Sequence, residues 1–207
     1  LVGSDMFIRD SYYNSVDKAG GSNTDAIRAQ LLETEDVVNA VVWENDTDEM
    51  DEAGLLPPSI QAIVYGGTDT NVATAIHARK AAGIQTCGTS SAKLLDASGK
   101  LRTIRFSRPT AVPIHVRISS LVTDAAYPGD DTLKAAVVDY IGSEGTSLAA
   151  SGLSIGETVY YNRLMCPINE TQGVVDYILE ISTDGAAWQK ANIVLTALQK
   201  AVTSPDK

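Results

Sequence analysis

The sequence is poor in the residues that build covalent frameworks and catalytic centres. Its 207 residues include two cysteines, Cys87 and Cys166, and two histidines, His77 and His115. Two cysteines so far apart do not form the disulfide framework of a small secreted domain, and we expect two reduced thiols. Neither histidine has a cysteine, histidine or carboxylate at ligand spacing. We therefore predict no disulfide-stapled fold and no metal centre.

Positive charge is also scarce. The chain has 16 lysines and arginines against 26 aspartates and glutamates, a formal net charge of −10. Nucleic acids and anionic membranes are bound by clustered lysines and arginines, so neither is an expected partner. The acidity fits a protein that charge keeps soluble or that docks on a basic partner. The sequence has no run of about 18 apolar residues and no signal-peptide pattern, so we expect neither a membrane span nor a leader.

What the sequence does have is material for folded domains, with 44% hydrophobic and 20% charged residues. This composition is that of a globular chain, and the length allows one large domain or two small ones. Ser107–Thr110, which contains Pro109, is the predicted boundary. We predict an N-terminal arm at 1–21, a central helix–strand–strand module with a hairpin at 22–109, and a C-terminal α+β module at 110–207.

The first module carries clear local signals. Ser22–Asp25 predicts a helix start, because these side chains accept hydrogen bonds from the free N–H groups of a first turn. Thr68, Asp69 or Thr70 is predicted to cap a second helix that ends at Gly83. The predicted strands are a central strand at Val37–Trp43, a second at Ser59–Tyr65, and two that flank the hairpin turn Asp96–Gly99.

The second module begins with an alternating strand at Ile114–Ser119. Pro128–Asp131 is predicted to cap an amphipathic helix, since apolar residues recur at helical spacing from Leu133 to Ile141. A further helix is predicted to start at Gly156–Thr158, and Pro167 to kink or end it. The last predicted strands are Val174–Ile181 and Ala191–Ala197. Each module is thus expected to be a mostly antiparallel sheet covered by helices on one face, an α+β fold.

The two modules share a weak echo. Glu33–Val38 and Glu170–Val175 have similar sequences, and each ends a helix and enters a strand. Either the chain contains two related helix–strand–strand units, or common residues coincide by chance.

Several segments suggest chemistry but have ordinary interpretations. The acidic stretch Glu44–Glu52 offers oxygen ligands for calcium but lacks the spacing of an EF-hand loop, so we interpret it as a solvated loop or docking surface. Gly66–Asp69 is interpreted as a turn and helix cap rather than an anion site, because it lacks the P-loop pattern.

Ser90 and Ser91 lack the motif of a nucleophile elbow, although a dispersed serine–histidine–aspartate site has no sequence signature. Arg102, Arg105 and Arg108 form a small basic cluster, either ordinary surface charge or a contact for the acidic loop of a neighbouring copy. We predict no catalytic, cofactor-binding or metal-binding residues and no enzyme activity.

A series of short motifs suggests a family. In order they are Trp43–Asp48, Pro57–Ile60, Lys80–Ile84, Phe106–Pro109, Pro128–Asp130, Leu153–Glu157, Ile181–Gly185 and Asn192–Ile193. From about Ser22 to Val202 the chain resembles the C-terminal portion of the baseplate J family, the Mu-type wedge protein of contractile phage tails. Asp36, where the family usually has glycine, and Pro167, inside an expected helix, depart from the pattern.

The resemblance implies a structural protein of a phage or prophage baseplate wedge, made in the bacterial cytoplasm and built into the virion tail. Its implied partners are other copies of itself and neighbouring wedge and hub proteins, with no cofactor. The start at Leu1 rather than Met suggests a fragment of a longer protein. Because the chain resembles the C-terminal half of the family, we expect the family's N-terminal part to be absent. Two alternatives stay open: a ligand- or carbohydrate-binding adhesion module, and a hydrolase with a dispersed active site.

Overall fold

Two units, divided between Arg108 and Pro109, make up the part of the chain that a computed structural model describes, residues 22–51, 54–144 and 152–206. Each unit combines helices with short, mostly antiparallel sheets, which confirms the predicted α+β class. The expected arm at 1–21 lies outside the described residues.

The first unit pairs its strands into two small sheets rather than one. Its elements are α1 (Thr24–Leu32), β1 (Val37–Asn45), β2 (Ser59–Gly66), α2 (Asp69–Arg79), β3 (Gln85–Cys87), β4 (Ser90–Leu95) and β5 (Leu101–Phe106). The first sheet has the order β1-β2-β3, with β1 antiparallel and β3 parallel to β2. β4 and β5 form the predicted hairpin.

Side chains cap both helices of this unit as predicted. Asn23 accepts a hydrogen bond from the backbone N–H of Ala26 at 2.8 Å, and Thr68 accepts one from Asn71 at 3.2 Å. Each bond satisfies an N–H group that a helix start leaves without an internal partner. The helices and the hairpin bury one core, whose largest members are Ile27, Leu31, Ile60, Ile76, Ile104 and Phe106.

Two expectations for this unit were wrong. Within the described residues β1 pairs only with β2, so it is an edge strand, not a central one. Its apolar run reflects burial of Val37–Ala40 on both faces. Gly83 does not cap α2, because the helix ends at Arg79 and Lys80 is already extended. Gly83 instead lies in a turn that the Lys80 ammonium holds through the carbonyls of Ala81 and Ile84, at 3.0 and 2.9 Å.

The second unit also contains two small sheets. Its elements are β6 (Thr110–Pro113), β7 (His115–Thr123), α3 (Asp130–Ile141), α4 (Tyr161–Glu170), β8 (Val174–Ser182) and β9 (Gln199–Val202). β7 and β8 are antiparallel, and β6 and β9 are parallel. The predicted helical spacing in α3 is confirmed, since Leu133, Val137 and Ile141 are buried in this unit's core.

Long-range pairing overturned two predictions here. The helix expected from Gly156 begins at Tyr161, because Val159 instead exchanges backbone hydrogen bonds of 2.9 and 3.0 Å with Ile193. The strand expected at Ala191–Ala197 is reduced to that single bridge. The chain next forms a strand at Gln199, where β6 supplies a parallel partner.

The start of α3 agrees with the prediction that Pro128–Asp131 caps it, whereas α4 does not end at Pro167. α3 begins after Gly129, which makes no side-chain capping bond, and Asp130 accepts a hydrogen bond from the Tyr127 hydroxyl at 2.8 Å. Pro167 does not end α4, which continues to Glu170. The Thr171 hydroxyl donates to the Pro167 carbonyl at 2.9 Å in the last turn.

The sequence similarity between Glu33–Val38 and Glu170–Val175 corresponds to a structural similarity only where the chain enters each strand. Asp36 and Gly173 hold the same place between a helix and a strand, and both have positive φ, 62° and 79°. Beyond that point the units differ: β1 pairs with the strand that follows it, and β8 with β7, which precedes it. After β8 the following chain contributes a single antiparallel bridge, Ile181 with Gln189, where the first unit has a full second strand.

Replacing Asp36 with glycine is expected to stabilise the protein by about 0.5–1 kcal/mol. The left-handed conformation costs a residue with a Cβ roughly 1–2 kcal/mol, and glycine's greater freedom in the unfolded chain cancels part of the gain. Urea unfolding measures the change. The matched control is Glu35→Gly, an exposed neighbour whose φ is not positive and which should lose stability. Equal losses in both variants would contradict the prediction.

Lys200 in β9 is only 1% exposed. Its ammonium donates to the carbonyls of Leu153 at 2.5 Å and Ala201 at 3.4 Å. Burial lowers the pKa of this lysine from 10.5 to about 8, against the opposing effect of the Glu157 carboxylate.

The contribution of Lys200 to the free energy of unfolding should therefore rise with pH between about 8 and 10.5. In that window the unfolded chain still binds a proton that the folded chain has released. The total rise in the free energy of unfolding from this residue is up to about 3 kcal/mol. Denaturant unfolding at several pH values measures the free energy of unfolding of the wild type and of Lys200→Met. The wild-type value relative to that of the variant should increase as the pH rises. Lys190→Met, at an exposed site, serves as control and should track the wild type. A difference between wild type and Lys200→Met that stays constant across the window would refute this.

Candidate interaction surfaces

The candidate catalytic residues fall on separate elements of the structure. His77 lies on α2 in the first unit, whereas His115 lies on β7 in the second, beside Gly185. Ser90 and Ser91 belong to β4 of the first unit. The two cysteines are free thiols in different units. Among the described residues, no three His, Cys, Asp or Glu side chains are grouped to hold a metal ion.

Hydrogen bonds order the acidic loop, residues 44–51, which begins with the last two residues of β1. The Asn45 amide donates to the carbonyls of Glu49 and Leu55 at 2.8 and 2.7 Å, and the Thr47 hydroxyl donates to Asn45 at 2.7 Å. The carboxylate of Asp51 accepts from the backbone N–H of Leu55 at 2.8 Å. Glu44, Asp46, Asp48 and Glu49 are exposed. The loop therefore presents carboxylates to solvent on a backbone that is held in place.

Arg108 occupies the turn that could have held an anion. Its guanidinium donates to the carbonyls of Val64, Gly66 and Gly67, with the Val64 and Gly67 bonds at 3.1 and 2.8 Å. It also pairs with the Asp69 carboxylate at 2.7 Å. The turn thus directs oxygen atoms at a cation. Arg108 therefore does not belong to the basic cluster that was predicted with Arg102 and Arg105.

A groove of about 510 Å³ lies between α2, the turn after it and β5. Among the described residues, no aspartate or glutamate lines it, and its basic side chains are His77, Lys80, Arg102 and Arg105. We call this surface the basic groove. Burial, and secondarily the charge of Arg102, lower the pKa of Lys80. The Nδ1 atom of His77 is buried and has no hydrogen-bond partner among the described residues.

Only part of this surface could be grouped from the sequence. Arg102 and Arg105 are close in sequence, but His77 and Lys80 come from another element. Packing of α2 against β5 brings the two pairs together. No spacing rule in the sequence could have shown that.

The second unit carries a groove of about 370 Å³ with a mostly apolar lining, between β7, α3 and the final residues. Its lining includes Val116, Ile118, Leu133, Val137 and Trp188. We call it the apolar groove. At its rim, the Arg117 guanidinium lies 4.2 Å from the Trp188 ring centroid and pairs with Glu180 at 2.7 Å. Trp188 has no signal in the sequence that predicts this role.

Comparison with known proteins places the fold but not a family. No family model matches the sequence, and no curated protein matches it. Among the described residues, no helix is both long and apolar enough to span a membrane.

One solved structure with a similar fold is the cryo-EM structure of the anti-feeding prophage baseplate, 6-fold symmetrised. The similarity covers 86% of this chain with a TM-score of 0.52 at 13% identity. It covers 36% of the other chain, so this chain spans about a third of that protein's length. At this identity the comparison shows a shared fold.

Removing the Arg108 guanidinium is expected to destabilise the protein by about 2 kcal/mol in Arg108→Met. The variant leaves turn carbonyls without their charged donor, and hydrogen bonds to charged groups contribute about 1.5–3 kcal/mol. Urea unfolding of the whole chain provides the measurement.

The matched control is Arg102→Met, which removes an exposed ion pair with Asp96 at 2.9 Å. Such pairs contribute about 0–1 kcal/mol, so this variant should unfold almost as the wild type does. Equal effects of the two substitutions would show that Arg108 does not hold the turn.

Proposed function

We propose that this chain is a structural component of the baseplate of a contractile phage or prophage tail. The observation that carries the proposal is the similarity of fold, over 86% of the chain, to a protein in the anti-feeding prophage baseplate structure. Fold alone does not define function, because one fold serves many roles. The proposal therefore also draws on the ordered series of short motifs in which the sequence resembles the baseplate J family.

The finer proposal is that the chain is the C-terminal portion of a baseplate J-like wedge protein. The coverage of 36% of the similar chain supports a partial correspondence. The conformation of Asp36 supports it locally, since its φ of 62° is one that glycine, the usual family residue, adopts without strain. The proposed modules remain residues 22–109 and 110–207, preceded by the arm at 1–21.

Its proposed mechanism is mechanical rather than catalytic. Each unit carries an open groove, one basic and one apolar, and such surfaces suit contacts with other proteins. The proposed partners are other copies of the chain and neighbouring wedge and hub proteins. The proposed location is the tail baseplate, after synthesis in the bacterial cytoplasm. Contacts through both units would join copies and transmit movement during sheath contraction.

A second candidate is the ligand- or carbohydrate-binding adhesion module. The apolar groove favours it, because its volume of about 370 Å³ and its Trp188 suit a small ligand. Against it, the Arg117 guanidinium already covers the Trp188 ring. In this role the wild type would bind at least one glycan on a glycan array, and Trp188→Ala would not. That result would favour this candidate over the baseplate role.

Tail particles purified from an induced culture of the source organism provide the test. Peptide mass spectrometry should find peptides from both units together with sheath and tube proteins. Deletion of the coding region should abolish intact tails, because the proposed contacts join neighbouring baseplate proteins. Complementation with the wild-type chain in its full gene is the control. Complete particles that form without the chain would reject the proposed function.

A further inference from the structure

Three of the 16 lysines and arginines of a chain with a net charge of −10 meet in one groove. The basic groove collects Lys80, Arg102 and Arg105 beside His77, and none of the carboxylates that the structure describes is in its lining. Like charges held close together in a partly enclosed surface repel one another unless an anion joins them. The groove therefore has the electrostatics of a site for carboxylates or another anion.

The groove keeps hydrogen-bond donors available. Arg102 uses its Nε–H on Asp96 at 2.9 Å. The Arg105 side chain is exposed and has no hydrogen bond or ion pair among the described residues. The Lys80 ammonium is directed to the carbonyls of Ala81 and Ile84 within the groove lining. A guanidinium presents its donors in a fork that matches a carboxylate, so Arg102 and Arg105 are the expected contacts.

The same unit carries the complementary surface. The acidic loop, Glu44–Asp51, exposes the carboxylates of Glu44, Asp46, Asp48 and Glu49, and none of them has a cationic partner among the described residues. Because Asn45 and Thr47 already order its backbone, the loop would lose little conformational entropy on binding. The groove volume is about 510 Å³, which lies within the range of ligand-binding pockets. It can therefore hold a ligand the size of several residues.

We propose that the basic groove of one copy binds the acidic loop of a second copy. The two surfaces differ, so the contact is heterologous and joins copies head to tail. A head-to-tail contact generates a ring when its rotation closes and a filament when it does not. This contact would be one of those that build the assembly, so the inference rests on the proposed baseplate function.

Two charge-reversed variants test this contact. The groove variant is Arg102→Glu with Arg105→Glu, and the loop variant is Asp46→Lys with Asp48→Lys. The control is Lys93→Glu with Lys100→Glu, which makes the same charge change at exposed residues of the same unit outside the groove. Circular dichroism and urea unfolding verify that every variant is folded.

Sedimentation velocity at protein concentrations up to about 1 mM measures self-association. In about 0.15 M salt the Debye length is about 8 Å, so general repulsion between acidic copies is screened while ion pairs in contact persist. The wild type and the control should associate, and about 1 M salt should weaken both at least several-fold. Each charge-reversed variant should sediment as a monomer alone. A mixture of the two should associate again, because every groove then meets a loop of opposite charge.

Monomers in both the wild type and the mixture would overturn the proposal. Association that survives in the groove variant would also overturn it, since another surface would then carry the contact. These results are separable from the test on tail particles. A chain that is present in particles but monomeric in solution, with a groove variant that still builds tails, rejects only this contact. A chain that associates as expected but is absent from particles rejects the baseplate function.

Discussion

The Arg108 guanidinium holds the first unit together at the point where three elements meet. It follows β5, reaches the carbonyls at the end of β2, and pairs with Asp69 at the start of α2. It also lies 5.1 Å from the ring centroid of Phe106, which is fully buried. Backbone carbonyls at a strand end need donors when other strands do not supply them. One side chain therefore joins the turn, the second helix and the hairpin.

The basic groove depends on this junction. α2 supplies His77 and the turn after it Lys80, while β5 supplies Arg102 and Arg105, so the groove keeps its shape only while helix and strand keep their relative positions. Backbone bonds reinforce the same place, because Ser107 donates to the Ala62 carbonyl at 2.8 Å and its own carbonyl accepts from Val64 at 3.0 Å. The residues that attach β5 to the sheet are thus adjacent in sequence to those that line the groove. A surface built on helices and strands is held more firmly than one built on loops.

The two grooves differ in charge and in polarity. The basic groove is polar and has its charge complement on the acidic loop of the same unit. The apolar groove has its cationic rim residue, Arg117, already paired with Glu180 and stacked on Trp188. Charge complementarity gives specificity and orientation to an encounter, whereas apolar surface supplies non-directional attraction. A chain with both kinds of surface is well suited to holding neighbours in a defined arrangement.

Local signals in the sequence were sufficient for the helix starts of the first unit, the hairpin turn and the amphipathic helix. The Asn23 and Thr68 caps, the turn at Asp96 and the spacing of Leu133, Val137 and Ile141 all act within one or two turns of chain. Tertiary structure alone decided the parallel pairing of β6 with β9, the edge position of β1 and the use of Arg108 inside the unit. It also decided the basic groove. Those features join residues that are distant in sequence, and the energy of such pairing outweighs local propensity without leaving a local pattern.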